Sequence, residues 1–165
     1  MQVQLKPIQN EYEEQIVDLI LNIQQKEFNV PITLEDQPDL LNIQNFYYEP
    51  GGCFLGAFAD EKLVGTIALV KFSENAGAIR KMFVKKEYRG KEFGIAQQLL
   101  EELINFSRQN KISDLYLGTV SILQAALRFY EKNNFITIKQ NELPKDFPLM
   151  KPDTVFCHLN LNSSK

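Results

Sequence analysis

Cysteine and histidine are scarce in this 165-residue chain, which has two of the first and one of the second. Cys53 and Cys157 stand far apart, and Met1–Pro7 has no charged head leading into an apolar core, so it is no secretory leader. The two therefore read as reduced, buried thiols of a cytoplasmic protein rather than as a disulfide. His158 is the sole imidazole, and with two lone cysteines it offers no zinc spacing, so no metal is expected. Cys157 and His158 are neighbours, but adjacent side chains on a strand point to opposite faces and do not form a nucleophile–base pair. No apolar run approaches the roughly 18 residues of a membrane span, and no membrane partner is expected.

Charge of one sign is also lacking. Lysine plus arginine is 18 and aspartate plus glutamate 21, a net charge of −3. A general binder of nucleic acid or of membrane surfaces would be basic, so neither is expected as a partner. The distribution is uneven, however. Arg80, Lys81, Lys85, Lys86, Arg89 and Lys91 face one acid, Glu87, over residues 80–91, so the local sum is 6 − 1 = +5 and the remainder is 12 − 20 = −8. An island of this kind suits a compact polyanion.

Proline is absent from the middle of the chain: all seven lie at or before Pro50 or at or after Pro144. The stretch between should hold the regular core. Length and composition fit one domain, residues 1–165, with no repeat or linker. Alternation predicts strands over residues 3–8, 53–59, 62–72, 77–84, 114–119, 135–139 and 154–161, with a hairpin turn at Asp60-Glu61. Helical spacing predicts a helix capped by Asn10 and running through Ile23, a short one over 39–47, and longer ones over 94–110 and 122–133. Strand, helix, strand in the second half implies parallel crossovers, hence a mixed α/β fold.

The basic island runs into a turn with Gly90 and Gly94, and the turn opens the helix that carries Leu99 and Leu100. The first N–H groups of a helix have no internal partner and sit at the positive end of its dipole. Glycines let a phosphate approach them, and Arg89 and Lys91 add charge. No Gly-Lys-Ser/Thr closes the turn and no Gly-x-Gly-x-x-Gly is present, so it is neither a P-loop nor a dinucleotide fingerprint. Taken alone it reads equally as a phosphate cradle or as an ordinary strand-to-helix turn.

A second segment, Ala126 to Phe135, holds Phe129, Tyr130 and Lys132. The two segments together resemble the GNAT superfamily of acyl-CoA-dependent N-acetyltransferases. Met82-Phe83-Val84, Tyr88-Arg89-Gly90, Gly94-Ile95-Ala96 and Leu99-Leu100 match that family's first motif. Ala126, Phe129, Tyr130, Lys132 and Phe135 match its second. Between Gly90 and Gly94 the turn is two residues longer than the usual one, near Glu92-Phe93. Lys86 replaces a common proline, Asn134 a glycine, Leu123 an asparagine, and Ala78 an acidic residue that often holds or supports a general base.

The resemblance implies a central mixed, mostly antiparallel sheet of about seven strands, splayed in the middle and flanked by about four helices. It implies direct transfer of an acetyl group from acetyl-CoA to a primary amine of a small-molecule or amino-acid-like acceptor. Backbone groups of Met82, Phe83 and Val84 would meet the pantetheine and polarise the thioester carbonyl. The turn from Arg89 and Gly90 through Lys91, Phe93, Gly94, Ile95 and Ala96 to Gln97 would hold the pyrophosphate. Tyr130 would protonate the leaving thiolate, its phenol matching a thiol in acidity. The base stays open among Glu27, Glu49, His158 and none. Phe28, Tyr47 and Tyr48 either wall the acceptor pocket or pack over the sheet. A protein or peptide acetyltransferase, a non-catalytic acyl-CoA sensor and a regulatory module without a CoA site are the alternatives, and a monomer or homodimer is expected.

Overall fold

The structure, a computed structural model, describes residues 3–90, 93–121, 123–150 and 153–162. Seven strands form a sheet in the order β1-β2-β3-β4-β5-β7-β6. They are β1 Val3–Pro7, β2 Cys53–Ala59, β3 Lys62–Ser73, β4 Ala76–Val84, β5 Asp114–Thr119, β6 Ile136–Ile138 and β7 Val155–Asn160. The α-helices are α1 Glu13–Leu21, α2 Ile95–Gln109 and α3 Gln124–Lys132. Strands β1 and β2, β2 and β3, β5 and β7, and β6 and β7 pair antiparallel. Strands β4 and β5 pair parallel, over Ala76–Ala78 and Asp114–Tyr116 alone. That short parallel contact is the interruption expected of a sheet splayed at its centre.

The chain divides into two compact units: the part up to Val70 with Arg80–Phe106, and Lys71–Ile79 with the part from Ser107 onward. In the first unit, Asp60 and Glu61 turn the β2–β3 hairpin with φ of 51° and 70°. Positive φ at both central residues is the type I′ signature, whose twist matches that of the strands it joins. Strands β2 and β3 are buried almost throughout, so alternation is faint there and apolar runs replace it. Helix α1 buries Ile16, Leu19 and Ile20 in one core with Leu40, Ile43, Tyr47, Phe54 and Phe58. Helix α2 buries Ile95, Leu99, Leu100 and Leu103 along one stripe. Its close seat against β3 depends on Gly65, where an added Cβ would lie 3.2 Å from Leu99 and from the Phe83 carbonyl oxygen.

Two local expectations change. Asn10 starts a 3₁₀ turn, Asn10–Tyr12, and does not cap α1. Its amide instead spans to the segment that follows, accepting from the Ile43 N–H at 2.8 Å and donating to the Leu40 carbonyl at 3.0 Å. A tertiary contact between otherwise unpaired backbone groups has taken the polar side chain away from capping. The short helix expected over 39–47 is a 3₁₀ turn, Pro38–Leu41, followed by a wide π-helical turn, Gln44–Tyr48. A similar π-helical turn, Asn22–Glu27, extends α1.

In the second unit, β7 lies between β5 and β6, pairing with both. The β5–α3–β6 crossover therefore skips one position, which the last strand fills. Cys53 and Cys157 are buried free thiols, and burial pushes the Cys53 thiol up to about 12. No helix among the described residues is long and apolar enough to cross a membrane.

Gly52, just before β2, is a steric requirement of the hairpin. A Cβ there would lie 1.9 Å from the Leu69 carbonyl oxygen, which is backbone and cannot swing away. Gly52→Ala should lower the free energy of unfolding by about 3 kcal/mol, read by denaturant titration; an unchanged midpoint would contradict the close approach.

Candidate active site

The turn between β4 and α2 is built by local hydrogen bonds. The Lys85 N–H donates to the Val64 carbonyl at 2.8 Å and anchors the exit from β4. A 3₁₀ turn, Lys86–Tyr88, follows. Gly90 has φ 115° and Gly94 φ 63°, values that L side chains rarely adopt. The N–H groups of Phe93 and Gly94 both bond back to the Gly90 carbonyl, at 3.2 and 3.1 Å. Tyr88 and Phe93 pack their rings at 5.8 Å, bridging the stretch where the turn is longer than in the resembled motif. Ile95 is buried and anchors the first turn of α2, Ala96 is half-buried, and Gln97 donates to Glu101 at 3.0 Å. Lys91 lies outside the described residues.

Arg89 has two partners. Its Nε donates to the Val84 carbonyl at 2.8 Å, and its two terminal nitrogens grip both carboxylate oxygens of Glu27. Its guanidinium also lies 5.9 Å from the centre of the Phe28 ring. The Arg89 hydrogen bond holds the Glu27 carboxyl below the usual range. Phe28, placed by the sequence at an acceptor pocket, is thus an exposed ring beside the turn's arginine. An open cleft of about 640 Å³ lies beside this pair in the first unit. Asp18, Asn22 and Lys26 line it from α1 and its extension, and Lys85 and Lys86 from the end of β4.

Tyr47 is 1% exposed and belongs to the core, its ring edge-on to Phe54 at 5.1 Å. Tyr48 is half-buried and donates to the carbonyls of Ile8 and Phe54 at 2.9 and 2.8 Å. Of the two readings of these tyrosines, packing is the one their contacts match.

The first unit also contains a buried polar network that the sequence reading passed over. The Tyr47 hydroxyl donates to Asp39, and the Lys81 ammonium lies 3.6 Å from the same carboxylate oxygen and donates to Gln37 Oε1 at 2.5 Å. Gln37, itself buried, donates onward to Gln24 at 2.8 Å. Burial pulls the Lys81 ammonium below its usual value against the opposing pull of Asp39, and burial pushes the Tyr47 phenol up. Lys81 is the one β4 residue with positive φ, 55°. Such backbone at a non-glycine residue costs about 1–3 kcal/mol and persists only where its surroundings enforce it. One member of the +5 island is therefore held inside the fold and does not meet solvent. The signal in the sequence was Asp39 at the head of a proline-flanked run; its pairing with a lysine 42 positions later is tertiary.

In the second unit, Tyr130 sits at the end of α3, buried. Asn134 has φ 74°; its N–H donates to the Glu131 carbonyl and the Phe135 N–H to the Tyr130 carbonyl, both at 3.0 Å. This pair of bonds is a Schellman cap. Phe135 closes it with its ring 5.4 Å from that of Tyr130. The Tyr…Phe spacing of the second motif is thus the geometry of a helix end, and it fixes the phenol. Burial pushes the Tyr130 phenol above its ordinary value, so it stays protonated at neutral pH.

The three candidate bases differ in their partners. Glu27 is held by Arg89, and Glu49 is exposed after the π-helical turn. His158 bonds Asp114 at 2.9 Å and stacks on Tyr116 at 4.3 Å. Among the described residues no group of three or more His, Cys, Asp or Glu could hold a metal ion.

Because Arg89 depresses the Glu27 pKa in the folded state, the pair stabilises the fold above the ordinary carboxylate range. That increment is lost as pH falls through the lowered pKa. Solvent screens the pair, so Glu27→Gln should cost about 0.5 kcal/mol at neutral pH. Unfolding curves of parent and variant should converge in acid; a difference that persists there would contradict the assignment.

A profile of the Acetyltransferase (GNAT) family matches residues 17–135. N-acetylaspartate synthetase of Xenopus tropicalis is 36% identical over 99 residues, which are 59% of this chain and 36% of that protein. The chain thus spans about a third of the length of that curated relative. An acetyltransferase of the GNAT family from Staphylococcus aureus Mu50 superposes with a TM-score of 0.93 at 37% identity, covering 97% of this chain and 99% of that one. An acetyltransferase from Streptococcus agalactiae 2603 superposes at 0.92 and 29% identity, covering 96% and 98%. With the two motifs on the β4–α2 turn and on the cap of α3, the chain belongs to the GNAT family of acetyltransferases.

Proposed function

We propose that the protein is a single-domain, cytoplasmic N-acetyltransferase that moves the acetyl group of acetyl-CoA to the primary amine of a small, amino-acid-like acceptor. The observation that carries this reading is the β4–α2 turn, where two left-handed glycines set the start of a long helix beside a basic strand end. The positive end of a helix dipole favours a pyrophosphate. Gly90, Phe93, Gly94, Ile95, Ala96 and Gln97 would supply that cradle, with Lys91 and Arg89 as its cations. Three of the five N–H donors of Arg89 are bonded to Val84 and Glu27, so one carboxylate shares the guanidinium with the cofactor. The similarity to an N-acetylaspartate synthetase supports an amino acid as acceptor.

The reaction needs a neutral amine. Its nitrogen bonds to the thioester carbon, the C–S bond breaks, the thiolate takes the phenolic proton of Tyr130, and the amine proton leaves to solvent or to a base. The peptide groups of Met82, Phe83 and Val84 would carry the carbonyl's developing charge. Burial keeps the Tyr130 phenol protonated but raises it above the acidity of a thiol, so it gives up its proton less readily than a free phenol would.

Calorimetry with acetyl-CoA tests the first half, and no heat at millimolar ligand would end the reading. Release of free thiol across a panel holding aspartate, glutamate, a polyamine and a lysine peptide tests the second. A peptide-only response would favour a protein acetyltransferase, and no response with tight binding a sensor. Tyr130→Phe should bind acetyl-CoA as the parent does and lose about 100-fold in kcat; parental turnover would remove Tyr130 from the mechanism.

A further inference from the structure

Strand β4 contains one left-handed residue, Lys81, immediately before the segment assigned to the thioester. A left-handed residue breaks the pleat and re-aims the peptide groups that follow it. Glycine is the residue that adopts this backbone without steric cost. The chain instead places a lysine there and buries its ammonium, with a side chain 7% exposed. Burying an ammonium is unfavourable unless it is paired and hydrogen-bonded, so the side chain must return something that glycine could not.

Its contacts show what it returns. The Lys81 carbonyl accepts a hydrogen bond from the fully buried Thr66 hydroxyl at 2.7 Å. The ammonium reaches Asp39 and Gln37, and these are anchored in turn by Tyr47, by Gln24 and by the Thr33 carbonyl at 3.3 Å. Both ends of the residue are thus clamped, its carbonyl from β3 and its side chain from the segment 24–47. We propose that Lys81 is a positioning residue, whose contacts to Asp39, Gln37 and Thr66 hold β4 in its kink and aim the backbone of Met82, Phe83 and Val84 at the acetyl carbonyl. The proposal rests on the acetyltransferase reading of that segment. It gives the lysine no contact with either substrate.

The test compares Lys81→Ala, Lys81→Gly and Thr66→Val, each corrected for its folded fraction by thermal unfolding. Misaimed peptide groups weaken the stabilisation of the transition state, while the pyrophosphate cradle, on another segment, is untouched. Lys81→Ala should therefore lose at least tenfold in kcat, with the affinity for acetyl-CoA in calorimetry changed less than threefold. Lys81→Gly, for which the kinked backbone is free of strain, should recover at least fivefold over Lys81→Ala. Thr66→Val removes only the carbonyl clamp and should show the same loss of kcat; it keeps the test decisive if Lys81→Ala does not fold. Parental kcat per folded molecule in Lys81→Ala or, failing that, Thr66→Val overturns the proposal. So does a Lys81→Gly protein no better than Lys81→Ala, because relieving the backbone strain at position 81 would then not restore the aim of the peptide groups. In both cases a parent that binds and turns over acetyl-CoA leaves the acetyltransferase reading standing. A parent that binds no acetyl-CoA removes that reading and the positioning role together.

Discussion

A lysine ammonium buried against one carboxylate organises the first unit. Lys81 meets Asp39 and Gln37 with its side chain 7% exposed, and an ammonium there is tolerated because it is paired with a carboxylate and hydrogen-bonded to an amide oxygen. The pair ties β4 to the irregular stretch between α1 and β2, which forms turns of 3₁₀ and π type and no regular helix. That tether adds to the backbone turns of residues 28–48 and to the burial of Leu40, Ile43 and Tyr47. Asn10 serves the same stretch from the other side, bonding the Leu40 carbonyl and the Ile43 N–H. Side-chain hydrogen bonds here supplement the backbone bonds of the turns.

Electrostatics around the β4–α2 turn follow a different rule. Its net positive charge is spent unevenly: Lys81 faces inward, and Arg89 is committed to Glu27 and to the Val84 carbonyl. Lys85 and Lys86 line the cleft beside the turn, and the start of α2 adds the positive end of its dipole. That contribution does not depend on rotamers and costs no side-chain entropy to organise. The Glu27–Arg89 pair adds a condition, because a phosphate at the turn would share the guanidinium with a bidentate carboxylate. This links the extension of α1 to whatever occupies the turn.

The second unit solves a simpler problem, that of holding one phenol. The C-terminus of α3 closes in a Schellman cap, with Asn134 taking the left-handed position that glycine usually fills. Asparagine is among the few residues that tolerate it. The ring of Phe135 then lies against that of Tyr130, so one turn of backbone fixes both the orientation and the burial of the hydroxyl-bearing ring.

Features governed by residues close in sequence were legible in the sequence itself. The hairpin at Asp60-Glu61, the stripe of α2, the glycine turn before it and the left-handed tolerance of Asn134 are all set by neighbours within a few positions, where backbone sterics and periodicity decide. Tertiary structure alone decided what required distant partners. Asn10 left its cap for residues some 30 positions away. Lys81, read as part of a basic island, was drawn inward by Asp39. Tyr47, read as a pocket wall or as packing, joined the core once its hydroxyl had found the same carboxylate. Strand β7, the last in the chain, entered between β5 and β6. The physical reason is common to all four: a polar group or an open strand edge settles on whichever partner the folded chain brings near, and sequence spacing carries no record of that distance.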